Sequence, residues 1–518
     1  MVETLTGTNR SAGPSYRQLL DLDSKPVPDF LRIDSPLAPG PTRVPVERYY
    51  SKAFHNLEVE KIWSRTWQMA CHLDDIPRVG DYSVYTIAHL SFLVVRTSET
   101  DVQAFVNACL HRGRLIREVD GKGARDLRCA FHGWAWNLDG SVHEIPCQWD
   151  FQYLQPGQAA LPQVKVGIWH DFVFINPDPE AGSLRDHIGD LDRHFVSLPY
   201  EKRFKQAHVA KVLRCNWKAA QEAFMEAYHV VATHPQILAG IGDANSKYDA
   251  FVNYSRAISP GATPSPHLMG YPEMEPLPDA SATKVRHPLS GSIYELRPDG
   301  LIHVSTRDGR TGVFRDDGSW VDGELGQADP NMCNWVGPHQ LPSSDRAWDT
   351  RQTVRSDAPQ EGCSPRASSA AWQREQLRPV IGDMVDTVCD AEFNDSIYFT
   401  LFPNLHPWGA FNRIVYRFRP NGDNPDESIM ECMFFAPYSP DMERPPAAPI
   451  HWLGPDDDWV EAPELGMLAK VFDQDTYNLP QVQKGLKAMR QPYIQFGDYG
   501  ETKIRHFHMR LNDWINRE

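Results

Sequence analysis

The sequence predicts an α+β fold in at least two units, a compact β domain followed by a larger mixed domain that ends in helices. Three observations carry this expectation. At 518 residues the chain exceeds what one hydrophobic core usually organises. Residues from about 46 to 180 contain short strand-like runs (SVYTI, SFLVVRT, VQAFVNA, DFVFINP) separated by Gly, Asp and Pro turns. Beyond them, a helical segment at about 216–233 and a helix-rich stretch at about 456–518 flank further β-like runs, SIYFTLF, FNRIVYRFRP and SIMECMFFAP.

In chain order, residues 1–45 are rich in Pro, Ser and Gly, and Pro26, Pro28, Pro36, Pro39, Pro41 and Pro45 make them read as an extended accessory arm. Residues 46–185 form the β domain and 186–518 the second domain. Within the latter, about 255–375 is dense in Pro, Gly, Asp and Ser, with the strand-like pieces SIYELR, LIHVST and TGVFR. There is no internal repeat and no heptad pattern.

Composition narrows the function. Hydrophobic residues make up 41% of the chain, yet no apolar run approaches the roughly 18 residues of a membrane helix. The N-terminus lacks the basic start and apolar stretch of a signal peptide, so the expected location is cytoplasmic. The 52 basic against 68 acidic residues give a net charge of −16, which repels nucleic acid and anionic membranes. Nine thinly spread cysteines fit buried thiols or metal ligands better than a disulfide framework.

The segment CLHRGRLIREVDGKGARDLRCAFHGWAW holds C-x-H and C-x-x-H, with 17 residues between the pairs Cys109/His111 and Cys129/His132. Each half can be a tight loop that offers one thiolate and one imidazole. Two imidazoles on one iron raise the potential of a [2Fe-2S] cluster relative to a four-cysteine site. Gly113 and Gly133 follow each histidine closely and permit positive φ beside the metal. A Cys2His2 zinc site uses the same residue types, although zinc fingers usually group their cysteines and histidines separately. Chance proximity of buried thiols is the remaining alternative.

In NWKAAQEAFMEAYHVVATHPQ, Glu222, Glu226 and His229 are four and three residues apart and share one face of a continuous helix. His234 lies five residues beyond His229, about 140° round a helix, so both meet one metal only if the helix ends between them. Pro235 supplies that ending by pushing His234 out of helical conformation. Two histidines and a carboxylate leave open positions on an iron for O₂ and substrate. Taken alone, H-x4-H also suits two partly buried or surface histidines.

CLHRG and CAFHGW together with Asn216, Trp217, Lys218, Glu226, Tyr228, His229 and His234 resemble the α subunits of the Rieske non-haem iron oxygenases, the ring-hydroxylating dioxygenase and demethylase family. The resemblance covers most of residues 46–518, apart from about 255–375. It implies a Rieske domain of the iron-sulfur-protein type and a helix-grip catalytic domain, with antiparallel sheet over a long helix. It also implies a [2Fe-2S] cluster on Cys109, His111, Cys129 and His132, and a mononuclear Fe(II) on His229, His234 and a distant carboxylate. That carboxylate is Asp475 in VFDQDTYNLPQVQKGL, with Asp473 as fallback. FTLFPNL and ETKIRHFHMRL are further echoes, and His506 and His508 in the latter read as structural.

Glu226 occupies the place of the family's bridging acid between a cluster histidine of a neighbouring subunit and an iron-ligand histidine. It is Glu where many ring dioxygenases have Asp, which resembles the quaternary-ammonium monooxygenase branch. The preceding segment is one residue shorter than in naphthalene-type enzymes, so their active-site Asn has no counterpart. The implied activity is O₂-dependent hydroxylation of an organic, aromatic substrate, with monooxygenation or demethylation of an ether or quaternary amine as the alternative. An iron-sulfur electron-transfer protein is the reading from another class.

With no nucleotide or flavin fingerprint in the chain, electrons from NAD(P)H would come through a separate ferredoxin or flavin reductase. The implied assembly is a homotrimer, with or without a β subunit. Arg112, Arg114, Arg117, Lys122, Arg125 and Arg128 form a basic run that could dock the donor or simply be a solvated face. Ala223, Met225, Leu238, the FPN residues Phe402, Pro403 and Asn404, and the 255–375 stretch are the expected pocket lining.

Overall fold

The computed structural model describes residues 13–517 apart from 36–38, 156, 272–273, 276, 342–362 and 410. Pro36 of the arm and 342–362 of the variable stretch therefore lie outside the described residues.

Short runs rich in Val, Tyr, Phe and Leu drive the first domain into a six-stranded antiparallel sheet. Its order is Gln68–His72, Phe172–Asn176, Gln163–Trp169, Val102–Val106, Leu90–Arg96 and Tyr82–Ile87. A three-stranded sheet of Leu127–Arg128, Ala135–Trp136 and Val142–Glu144 sits beside it and frames the second cysteine-histidine loop. Leu93, Phe105, Leu127, Trp134 and Trp136 fill the space between the two sheets, together with Cys109 and Cys129.

The second domain is built on an eight-stranded sheet. Its order is Lys247–Ala250, Tyr254–Ser259, Ser396–Leu401, Leu405–Pro407, Ile414–Asn421, Asn424–Pro437, Arg203–Leu213 and His451–Leu453. All neighbours are antiparallel except the last pair. Across one face lies the long helix Met467–Ala488, whose buried Phe472, Asp475, Leu479, Gln483 and Leu486 recur at helical spacing. Phe472 and Leu479 pack with Tyr416, Phe418, Met430 and Phe434 of the sheet. The α+β architecture expected from the pattern is what the chain forms.

The dense stretch after residue 280 resolves into a five-stranded antiparallel meander, Lys284–Arg286, Ile293–Leu296, Ile302–Ser305, Thr311–Phe314 and Trp320–Gly323. Helix Pro330–Val336 follows, its first turn held by the Asp329 carboxylate, and it packs on the long helix.

The N-terminal segment departs from the extended accessory arm. Its described part forms two short helices, Tyr16–Leu20 and Asp29–Arg32, which bury Tyr16, Leu20 and Leu31 among Tyr254, Phe399 and Leu401. The Tyr16 hydroxyl donates to Asp395 at 2.8 Å, and Ser24 donates to Asp390. Proline density signalled the turns, whereas the apolar anchors between them decide the packing. Arg43–Pro45 then pairs with Tyr493–Gln495, and the Tyr49 hydroxyl donates to Glu222 of the second domain, so the first strand of the six-stranded sheet begins only at Gln68.

Candidate metal centres

Two loops of matching construction carry the first four residues. In one, Cys109 N–H donates to Arg114 O at 2.8 Å and Gly113 N–H to Cys109 O at 2.9 Å. In the other, Cys129 N–H donates to Trp134 O at 2.8 Å and Gly133 N–H to Cys129 O at 3.1 Å. Gly113 and Gly133 adopt φ of 76° and 77°, which glycine alone takes without penalty.

The His111 and His132 rings stand 4.5 Å apart, and His111 stacks on Trp134. Both cysteines are buried and all nine in the chain are free thiols. Burial raises the Cys109 thiol. At Cys129 burial acts in the same direction but is overcome by the Phe131 amide and the neighbouring Cys109 thiol, which bring it below its usual range. Two thiols and two imidazoles, with an amide directed at sulfur, fit a two-iron cluster.

The basic run is largely engaged within the chain. Arg117 donates to the carbonyls of Ile116, Asp126 and Arg128, tying the two loops together. Arg114 pairs with Glu118, Arg128 with Asp126 and Glu144, and Lys122 with Asp81. Arg112 lies over Phe131, and Arg125 has no ion pair among the described residues. A donor-docking role would therefore fall mainly to Arg112 and Arg125.

The second centre depends on a break in the helix. Asn216 caps Trp217–Glu222 by accepting from Lys218 N–H, while its own N–H donates to Gln483 of the long helix. The helix stops at Glu222, and a second short helix, Val230–Thr233, begins after His229. Hence Glu222, Glu226 and His229 do not share a continuous helical face, contrary to the spacing argument. The Glu226 carboxylate instead accepts from the backbone N–H groups of Tyr228 and His229, competing with the helical ladder. Glu222 turns away to the Tyr49 hydroxyl and His508 Nε2, which bond it at 2.9 Å.

The break brings together three ligand-type atoms. His234, with φ −127° and ψ 50° before Pro235, leaves the helical region as expected. His229, His234 and Asp475 each offer an atom within 4.8 Å of the others. His234 Nε2 is 2.8 Å and His229 Nε2 is 3.5 Å from Asp475 Oδ1. Asp473 is elsewhere: its carboxylate accepts from Trp459 N–H at 2.7 Å, and burial pushes it up to about 7.

This geometry tests the fit of a cation. His229 Nδ1 is 2.7 Å from Glu226 Oε1, a carboxylate that can only accept, so Nδ1 carries the proton. In a neutral ring Nε2 is then a lone pair facing the Asp475 carboxylate. Burial opposes charging His229, but Glu226 first and then Asp475 and Asp243 override it and push the imidazole up to about 9. Two imidazoles and one carboxylate are the donor set of a ferrous centre with open positions.

The pocket residues divide. Ala223 is partly buried near the sheet aromatics. Met225 and Phe402 instead join the apolar cluster of Trp63, Val173, Trp217 and Phe507, and Asn404 is spent on the Phe418 carbonyl. Leu238 packs with Ala227 and Val230.

Residues 196–517 match the family model described as ring hydroxylating alpha subunit (catalytic domain). The chain belongs to this family. Residues 66–156 match the Rieske [2Fe-2S] domain, so the two regions imply a [2Fe-2S] cluster and a mononuclear iron centre. Biphenyl 2,3-dioxygenase subunit alpha of Rhodococcus jostii (strain RHA1) is 30% identical over 210 residues, 38% of this chain and 44% of the relative. Chloroplastic choline monooxygenase of Spinacia oleracea is 27% identical over 235 residues, 44% of this chain and 53% of the relative. The chain thus spans about half the length of the curated relatives it matches.

Among solved structures, naphthalene 1,2-dioxygenase from Rhodococcus sp. bound to indole aligns with a TM-score of 0.52 at 17% identity, covering 91% of this chain and 94% of that one. A quaternary ammonium Rieske monooxygenase aligns with a TM-score of 0.53 at 14% identity, again covering 91% and 94%. Both share the fold. Among the described residues no helix is long and apolar enough to cross a membrane.

Proposed function

We propose that this ring-hydroxylating α-type chain is the oxygenase component of a system that uses O₂ and externally supplied electrons to oxidise a small organic molecule. The observation that carries the reading is the convergence of His229 Nε2 and His234 Nε2 on Asp475 Oδ1, in a chain that also has the paired Cys/His loops. These three residues would hold the mononuclear iron, and Cys109, His111, Cys129 and His132 the cluster. When bound, the iron would supply O₂ activation and the cluster electrons.

Glu226 fixes the His229 tautomer and orients its ring. It sits beside Tyr228, which is 73% exposed, while Leu110 and Phe131 are exposed at the tips of the cluster loops. Exposed apolar groups at both places suit a head-to-tail ring in which one subunit's cluster loops meet the next subunit's Glu226 face. The external reductant would be a ferredoxin or a flavin reductase.

An aromatic substrate is the first reading, supported by the biphenyl dioxygenase relative. Phe472 lies one helical turn before Asp475, and partly exposed Phe224 packs on Tyr416 and Phe472 at 5.3 and 5.8 Å. Glu226 in place of Asp, together with the choline monooxygenase relative, favours a second reading, monooxygenation of a quaternary amine.

The test is anaerobic reduction of iron-loaded protein followed by O₂ and a panel of arenes, ethers and quaternary amines. Products are scored by mass: gain of two oxygens and two hydrogens, gain of one oxygen, or loss of a methyl. Iron confined to the cluster, with no product from any member, would rule out the oxygenase.

A further inference from the structure

We propose that Gln474 is the positioning residue for His234, and that the inserted meander and its following helix hold Gln474 in place. The proposal rests on the reading that His234 binds iron and extends it to a layer of residues behind the ligand.

Gln474 Oε1 lies 2.8 Å from His234 Nδ1. Which end of the amide faces the ring is fixed by the other partners. Gln474 Nε2 is 2.9 Å from the backbone carbonyl of Asn331, which can only accept. Gln236 Nε2 donates to Gln474 Oε1 at 2.7 Å. With the oxygen turned towards the imidazole, His234 Nδ1 must be the N–H, and Nε2 of the neutral ring is a lone pair pointing at Asp475 Oδ1. Gln474 is fully buried and His234 nearly so, so no solvent competes for these bonds.

Asn331 comes from outside the core of the domain. It opens helix Pro330–Val336, where its N–H donates to the capping Asp329 carboxylate at 2.8 Å. Asp329 is tied to the meander, since its N–H donates to the Tyr294 hydroxyl at 2.9 Å and its carboxylate pairs with His287. The Asn331 side chain also donates to the Ala232 carbonyl at 3.1 Å, on the short helix between His229 and His234. One asparagine therefore braces the ligand-bearing helix directly and His234 through Gln474. A ring so held presents Nε2 to the metal without first selecting a tautomer or rotating.

The experiment compares wild type, Gln474→Met and Gln474→Glu. Anaerobic ferrous affinity is measured by chelator competition, together with the electronic spectrum of the Co(II)-substituted mononuclear site. Removal of the acceptor in Gln474→Met is expected to weaken Fe(II) binding about 10- to 100-fold and shift the Co(II) bands, while the cluster spectrum stays unchanged. Gln474→Glu keeps an acceptor for Nδ1–H but loses the donor to the Asn331 carbonyl, so it is expected to fall between Gln474→Met and wild type in both affinity and bands. Should Gln474→Met not fold, Gln474→Glu carries the test: affinity within about 10-fold of wild type supports the proposal, and a loss of about 100-fold or more overturns it.

Equal affinity and identical spectra in wild type and Gln474→Met would overturn the proposal while leaving the iron site intact. Equal loss in both variants would also overturn it, because the acceptor would not be the cause. Wild-type protein that takes up no mononuclear metal would remove the iron reading itself.

Discussion

Glu222 gives a stability prediction with a definite sign. Its carboxylate accepts from the Tyr49 hydroxyl and from His508 Nε2, and His508 Nδ1 faces the Arg48 guanidinium at 3.2 Å, which makes Nε2 the protonated nitrogen. Burial pushes Glu222 up to about 8 against an ordinary 4.5, outweighing the Tyr49 bond and the nearby Lys218 and Arg48 charges. The native state therefore binds this proton more tightly than the unfolded chain. Its contribution to stability is complete below about pH 4.5 and is lost as pH rises towards about 8. At roughly 1.4 kcal/mol per pH unit, the loss approaches about 4–5 kcal/mol as an upper bound. Glu222→Gln keeps an acceptor oxygen but cannot ionise. Urea unfolding of both proteins between pH 5 and pH 8.5 should show the variant gaining on wild type by several kcal/mol across that range. A constant difference over the range would refute the assignment.

Three further outcomes are expected. Glu226→Gln should load both iron centres and permit cluster reduction, yet lower product formation about 10- to 100-fold, measured as single-turnover yield. Asp475→Ala should lose mononuclear iron by metal analysis with the cluster absorption intact, whereas Asp473→Ala should keep both, because Asp473 serves the Trp459 amide. Lys218 and Glu58 form a fully buried pair at 2.7 Å, so Lys218→Met should cost about 3–5 kcal/mol in denaturant unfolding, and adding Glu58→Gln should restore much of it.

The strands and the ligand-bearing loops were legible because their signals are local. SVYTI alternates, SFLVVRT and SIMECMFFAP are short, nearly continuous apolar runs, and the paired Cys/His loops have their own internal spacing and glycines. Pro235 announced the helix end at His234 for the same reason. The break between Glu222 and His229 was hidden. NWKAAQEAFMEAYH has helical periodicity throughout, and what interrupts it is tertiary or folded back: the Tyr248 hydroxyl accepts from Ala227 N–H, and the Glu226 carboxylate accepts from two further amides. The arm is legible only in part because prolines dominate its composition while six apolar side chains, Tyr16, Leu20, Val27, Phe30, Leu31 and Ile33, pack into or against the core. Gln474 was invisible beside Asp475, since its partner Asn331 is 143 residues away and meets it only through the insertion.

These two hidden features bear on one problem. A continuous helix through Glu226 and His234 would turn the two histidines about 140° apart, and a single Asp475 could not meet both. The break removes that conflict but leaves a short, weakly self-supported helix of four residues, Val230–Thr233, between the ligands. Its rigidity must then come from outside. Glu226 holds the His229 end, while Asn331 grips the Ala232 carbonyl and, through Gln474, the His234 end. On this reasoning the insertion compensates for a locally unstable ligand segment. Asn331→Ala should therefore raise amide exchange across 229–234 selectively in metal-free protein, and unchanged protection there would show that the segment is rigid without the brace.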